Sequence, residues 1–136
     1  MTRLLNGRVL FIAAAGAFNG RPIVISHIYP RPIVPVGPDS YQLSEMQHAL
    51  FGQSAVLLAD GRVLVFGGAT SPTDATTAVE IWDPATDSFT SAPPHPGPIA
   101  DHTLTLLPDG RILVVGPPAP GENASTVVVY TLEAGQ

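Results

Sequence analysis

The chain has 136 residues, no cysteine, 12% charged side chains and a formal net charge of −5. The absence of cysteine excludes disulfides, thiolate metal sites and thiol catalysis. The acidic balance, with no lysine at all, argues against nucleic acid as a partner. No apolar run approaches the ~20 residues of a membrane-spanning helix, and a hydrophobic fraction of 45% marks a folded chain rather than a disordered one.

In chain order, the first strong signal is Leu4-Leu5-Asn6-Gly7-Arg8-Val9-Leu10-Phe11-Ile12. It returns as Leu58-Ala59-Asp60-Gly61-Arg62-Val63-Leu64-Val65-Phe66 and again as Leu107-Pro108-Asp109-Gly110-Arg111-Ile112-Leu113-Val114-Val115. The turn glycines are 54 and 49 residues apart, and a strand-built repeat of roughly 50 residues is the mark of β-propeller blades. The first copy begins at its second strand, runs through a long Gly16 to Arg21 loop, and reaches a third strand ending at Ile28-Tyr29-Pro30. A link from Pro30 to His48 follows, dense in proline (Pro30, Pro32, Pro35, Pro38). Such stretches are stiff and extended, which suits a spacer between blades better than a recognition ligand.

The middle copy is complete. Gln53 to Leu58 is a strand, Asp60-Gly61 is a tight turn, and Arg62 to Phe66 is a second strand ending at Gly67-Gly68. Asp-Gly between apolar runs signals a hairpin because glycine supplies positive φ. The second strand is apolar without alternation, which implies burial on both faces. Ala69 to Thr77 is a polar loop, Ala78 to Trp82 a third strand, and Asp83 to Asp87 a turn with proline at its second position. Ser88 to Ser91 is the outer strand, and a second proline-dense link runs from Ala92 to Asp101. The third copy has Pro108-Asp109-Gly110 at its first turn, a long Pro117 to Ser125 loop, and no outer strand after Val129-Tyr130-Thr131. On this reading Gly61 and Gly110 need positive φ and Gly121, in a long loop, does not.

The run Asp60 to Gly68, followed by Ile81-Trp82-Asp83-Pro84-Ala85-Thr86, resembles the kelch repeat, most closely the bacterial style of galactose-oxidase-like propellers. The flanking copies match in part: Ala13-Ala14 and Gly116-Pro117 stand where the double glycine falls. The resemblance implies an all-β, partial kelch-type β-propeller of four-stranded antiparallel blades. Residues 1–47 form an incomplete first blade without its first strand, 48–100 a complete blade, and 101–136 a third blade without its outer strand. About two and a half blades is fewer than the roughly four to eight of a closed ring, so both ends read as cut from a longer array. A secretory signal over residues 1–17 is the rival reading of the N-terminus. It is disfavoured because Asn6-Gly7-Arg8 aligns with the other hairpin turns.

In an up-and-down blade the tight turns share one end and the long loops share the other. Function in repeat folds concentrates on the loop-rich end, which places a binding surface at Asn19, Arg21, Thr70, Ser71, Asp74, His95, Glu122 and Asn123. A protein or carbohydrate ligand fits such a surface. The four histidines (His27, His48, His95, His102) are dispersed, which favours surface or hydrogen-bonding roles over a metal site. The resembling oxidases use a crosslinked cysteine–tyrosine with copper, and a chain without cysteine cannot carry that centre. No nucleophile elbow, phosphate loop or carboxylate pair is legible. The expected function is therefore a non-catalytic interaction module without cofactor. A piece of a galactose-oxidase-like enzyme whose active residues lie elsewhere is the alternative, and a truncated, inactive gene product is a third. Two-sided apolar strands and unpaired strand edges further predict self-association.

Overall fold

A computed structural model of the chain describes residues 2–5, 9–18, 21–29, 51–71, 73–118 and 121–132. These residues hold no helix, and their ten strands form three antiparallel sheets. The first sheet has the order β1 (Thr2–Arg3), β2 (Val9–Phe18), β3 (Arg21–Tyr29). The second is β4 (Ser54–Leu57), β5 (Val63–Phe66), β6 (Val79–Asp83), β7 (Ser88–Ala92). The third is β8 (Thr103–Leu106), β9 (Ile112–Pro118), β10 (Ser125–Tyr130). Strand β4 lies against β1 on one side and β8 on the other. The first strands of the three sheets therefore converge, as the inner strands of propeller blades do.

The Asp-Gly-Arg turn is built the same way in the second and third sheets. Arg62 donates its backbone N–H to Asp60 Oδ1 (3.0 Å) and its Nε–H to Asp60 Oδ2 (2.8 Å). Arg111 repeats this on Asp109 at 3.1 and 2.7 Å. Gly61 and Gly110 sit at φ 92° and 84°, so the positive φ expected of them is present. The arginine has a role that hairpin rules alone do not assign: it clamps the aspartate across the turn. Partial burial raises the Asp60 carboxyl, but the Arg62 hydrogen bonds outweigh that and hold it below its ordinary value. Asp109 is lowered first by the Arg111 side chain, then by its backbone N–H.

Between the sheets lie two apolar layers. Leu64, Phe66, Val79 and Ile81 on one face of the second sheet meet Ile112, Val114 and Tyr130 of the third. The opposite face, with Val63, Val65, Trp82 and Phe89, packs on Leu4 and Leu10. All four residues of β5 are buried, as their unbroken apolar run requires. At the outer hairpin, Asp83 Oδ1 accepts the Ala85 N–H (2.8 Å) and its carbonyl the Asp87 N–H (2.9 Å). Asp87 stands at φ 50° and accepts the Trp82 indole N–H on Oδ1 (3.1 Å).

Four sequence expectations need correction. The first blade does have a first strand, since Thr2 and Arg3 pair with Leu10 and Val9; two residues are too short for any alternation to be read. The Gly16 to Arg21 loop is largely strand, because β2 runs to Phe18 and β3 starts at Arg21, with an irregular register between Ala14 and Ala17. Likewise β9 extends to Pro118 and pairs with Ser125, so the loop at that end is shorter than Pro117 to Ser125. Gly121 stands at φ 88°, which makes a valine there as strained as one at Gly61 or Gly110. The Pro30 to His48 link lies outside the described residues.

Candidate functional site

The connections β2–β3, β5–β6 and β9–β10, with the link after β7, all reach the end of the sheets opposite the Asp-Gly turns. The β5–β6 loop is held by its own hydrogen bonds. Thr70 donates its N–H to the Asp74 carbonyl (3.0 Å), and Asp74 donates its N–H to the Ser71 carbonyl (3.2 Å). Ser71 Oγ donates to Asp74 Oδ2 (2.7 Å), and Thr70 Oγ1 to the Asp74 carbonyl (3.3 Å). Thr70, Ser71 and Asp74 are thus brought together in one closed turn, with Thr70 and Asp74 exposed. Glu122 and Asn123 are exposed in the separate β9–β10 turn. Arg21 opens β3, and Asn19 lies outside the described residues.

His95 is the exception on the expected surface. It is 4% exposed and points inward, as does His102 at 4%. The two rings stand edge-on to Phe66, at centroid distances of 5.0 and 5.5 Å, and Tyr130 approaches the same ring at 5.2 Å. His95 Nδ1 lies within hydrogen-bonding distance of both Gly97 N (3.1 Å) and Gly97 O (2.5 Å). Among the described residues, His95 Nε2 and both ring nitrogens of His102 have no hydrogen-bond partner. Surface roles expected for these two histidines are therefore corrected: both belong to the seam between the second and third sheets. No periodicity marks them, because each sits in irregular chain beside a link.

That link is pinned rather than merely stiff. His95 N–H bonds the Thr77 carbonyl (2.9 Å), Ile99 N–H the Thr76 carbonyl (3.2 Å), and Gly68 N–H the Ile99 carbonyl (2.8 Å). Tyr130 Oη donates to the Pro93 carbonyl (2.6 Å), tying the third sheet to the same segment. Beside it opens a depression of about 240 Å³, lined by Thr76, Thr77, Ser91 and Pro94 over Val79 and Ala92. Sequence reasoning missed it because it forms between a loop and the sheet's outer edge, where only the tertiary path brings the residues together.

Burial holds the His102 imidazole below its ordinary value, and His95 pushes the same way, against the opposing pull of the Phe66 carbonyl and Asp101. A lowered folded value means that the unfolded chain takes up the proton first. Stability is then complete above about pH 6.5, the unfolded value, and falls as pH drops below it. Asp60 and Asp109 are lowered too, but they release stability only below about pH 4. The thermal midpoint should therefore drop between about pH 7.5 and about pH 5.5, and His102→Gln should flatten the slope. An unchanged slope in that variant would assign the pH response to another group.

Among the described residues, no three His, Asp or Glu side chains gather to form a metal site. Comparison with known families identifies the Kelch motif at residues 51–96. No curated protein matches the chain. The matched segment takes in β4 to β7, from the bridge at Phe51 to the start of the pinned link. Residues 51–96 match the Kelch motif and fold as one four-stranded antiparallel sheet, with a three-stranded antiparallel sheet packed on each side of it.

Proposed function

We propose that the chain is a non-catalytic kelch-repeat module that binds a protein or carbohydrate ligand at its loop-rich end. The observation that carries this reading is the hydrogen-bonded turn from Thr70 to Asp74, which leads through Thr76 and Thr77 into the lined depression. A loop already ordered gives up little conformational entropy on binding. Against catalysis, Asp60 and Asp109 are engaged by their turn arginines, and Asp83 and Asp87 by their own hairpin. The cavity is also below the roughly 300 Å³ at which small-molecule sites begin, which favours a shallow ligand contact.

The test is a glycan array and a displayed random-peptide library, each read with the parent chain and with Thr77→Arg and Thr86→Arg. Binding should be lost in Thr77→Arg and kept in Thr86→Arg, whose site lies at the tight-turn end. The reverse pattern would overturn the placement. Oxygen consumption on galactose after copper loading would prove the module reading wrong, because a chain without cysteine is expected to show none.

A further inference from the structure

Half of the chain's six cations, Arg8, Arg62 and Arg111, fall at one position, directly after the turn glycine. The hairpin does not call for them, since its turn is specified by the Asp-Gly pair and the positive φ of Gly61 and Gly110. Stability does not account for them either. An ion pair at an exposed turn contributes little, and the Asp109 and Arg111 side chains are 50 and 52% exposed. What the two described turns share is a chemical liability. In an Asp-Gly sequence the glycine nitrogen can attack the aspartate Cγ, because the glycine has no side chain to hinder it. The N–Cγ bond forms, the amide proton and the carboxyl hydroxyl leave together as water, and a cyclic succinimide results. Water then opens the ring at either carbonyl. One opening gives back aspartate, and the other leaves isoaspartate, in which the main chain runs through the former side chain and is one carbon longer.

In both turns the two reacting groups are otherwise engaged. The nucleophile is tied back into the turn: Gly61 donates its N–H to the Leu58 carbonyl (3.0 Å) and Gly110 to the Leu107 carbonyl (2.9 Å). The electrophile is tied forward. One oxygen of Asp60 accepts the Arg62 N–H and the other its Nε–H, and Asp109 is held the same way by Arg111. Each carboxylate is thus bound to the residue beyond the glycine. Expulsion of water needs a protonated carboxyl, and both carboxyls are held below their ordinary value, which keeps that form scarce. We propose that Asp60-Gly61 and Asp109-Gly110 are latent isoaspartate-forming sites that Arg62 and Arg111 keep closed, each arginine guarding the main chain of its own turn. An extra carbon there would disturb the pairs that flank the turns, Leu57 with Val63 and Leu106 with Ile112, so the guard protects the register of both sheets. The proposal concerns the tight-turn end and is independent of the ligand site at the other.

Each turn serves as the reference for the other. The parent chain, Arg62→Leu and Arg111→Leu are aged for weeks at neutral pH and body temperature, and isoaspartate is located by peptide mapping. A second set is aged in guanidinium chloride. There all three chains should isomerise at both turns at similar rates, several-fold faster than the folded parent. Folded Arg111→Leu should accumulate isoaspartate at residue 109 several-fold faster than the parent, and at residue 60 no faster. Arg62→Leu should give the mirror image. A folded parent that isomerises as fast as the denatured chain would overturn the proposal. So would a rise at both turns together, which assigns the effect to loss of the fold, or at neither, which leaves the arginines no part in it.

Discussion

Gly67→Val is expected to leave little folded protein. Gly67 stands at φ 60°, and a Cβ there would lie 2.4 Å from the Ile99 carbonyl oxygen and 2.8 Å from His102 Cε1. The carbonyl cannot simply retreat, since it accepts the Gly68 N–H at 2.8 Å. Strain at a left-handed position costs about 1–3 kcal/mol, and forcing volume into a packed seam costs about 1–3 kcal/mol more. Against a domain stability of roughly 5–15 kcal/mol, that sum is a large share. Gly97→Ala is the control. Nothing lies within 4 Å of its Cβ position, so it should change the free energy of urea unfolding by no more than about 0.5 kcal/mol. Fluorescence of the single tryptophan reports both transitions. Equal midpoints would show that the second strand's end tolerates a side chain and that the link is not packed as described.

Trp82→Ala should be about as damaging, at roughly 3–5 kcal/mol. The indole is 1% exposed, within the cluster of Leu4, Leu10, Val63, Val65 and Phe89. Its removal opens the layer that joins the first and second sheets, and unfolding should be followed by circular dichroism. Trp82→Phe should recover most of the loss, because the packing is largely kept and only the bond to Asp87 disappears. Asp87→Asn keeps both an acceptor and a residue type tolerant of positive φ, so it should be nearly neutral. If Trp82→Phe were as unstable as Trp82→Ala, the indole hydrogen bond and not the apolar contact would hold that layer.

Much of the blade was legible from local chemistry. Asp60-Gly61-Arg62 and its third copy declare a hairpin because few other residue pairs adopt that turn, and the structure closes both with the same arginine clamp. Asp83-Pro84 announces the outer hairpin for the same reason. The Thr70 to Asp74 turn was found as a polar loop, but its internal closure was not, because no spacing rule specifies which hydroxyl meets which carboxylate. His95 illustrates the limit most clearly. A histidine between prolines reads as a solvated link, and only the return of that link across Thr76 and Thr77 turns the ring toward Phe66.

By itself the sequence determined the strands, their turns and their repeat, since those depend on φ preference and side-chain alternation within a few residues. Tertiary structure decided which apolar faces are covered. The runs Val63–Phe66 and Ile112–Val115 are nearly interchangeable as sequence, yet the first is buried throughout and the second leaves Val115 exposed. The difference lies in the neighbours: among the described residues, the second sheet has one on each side and the third has one on a single side.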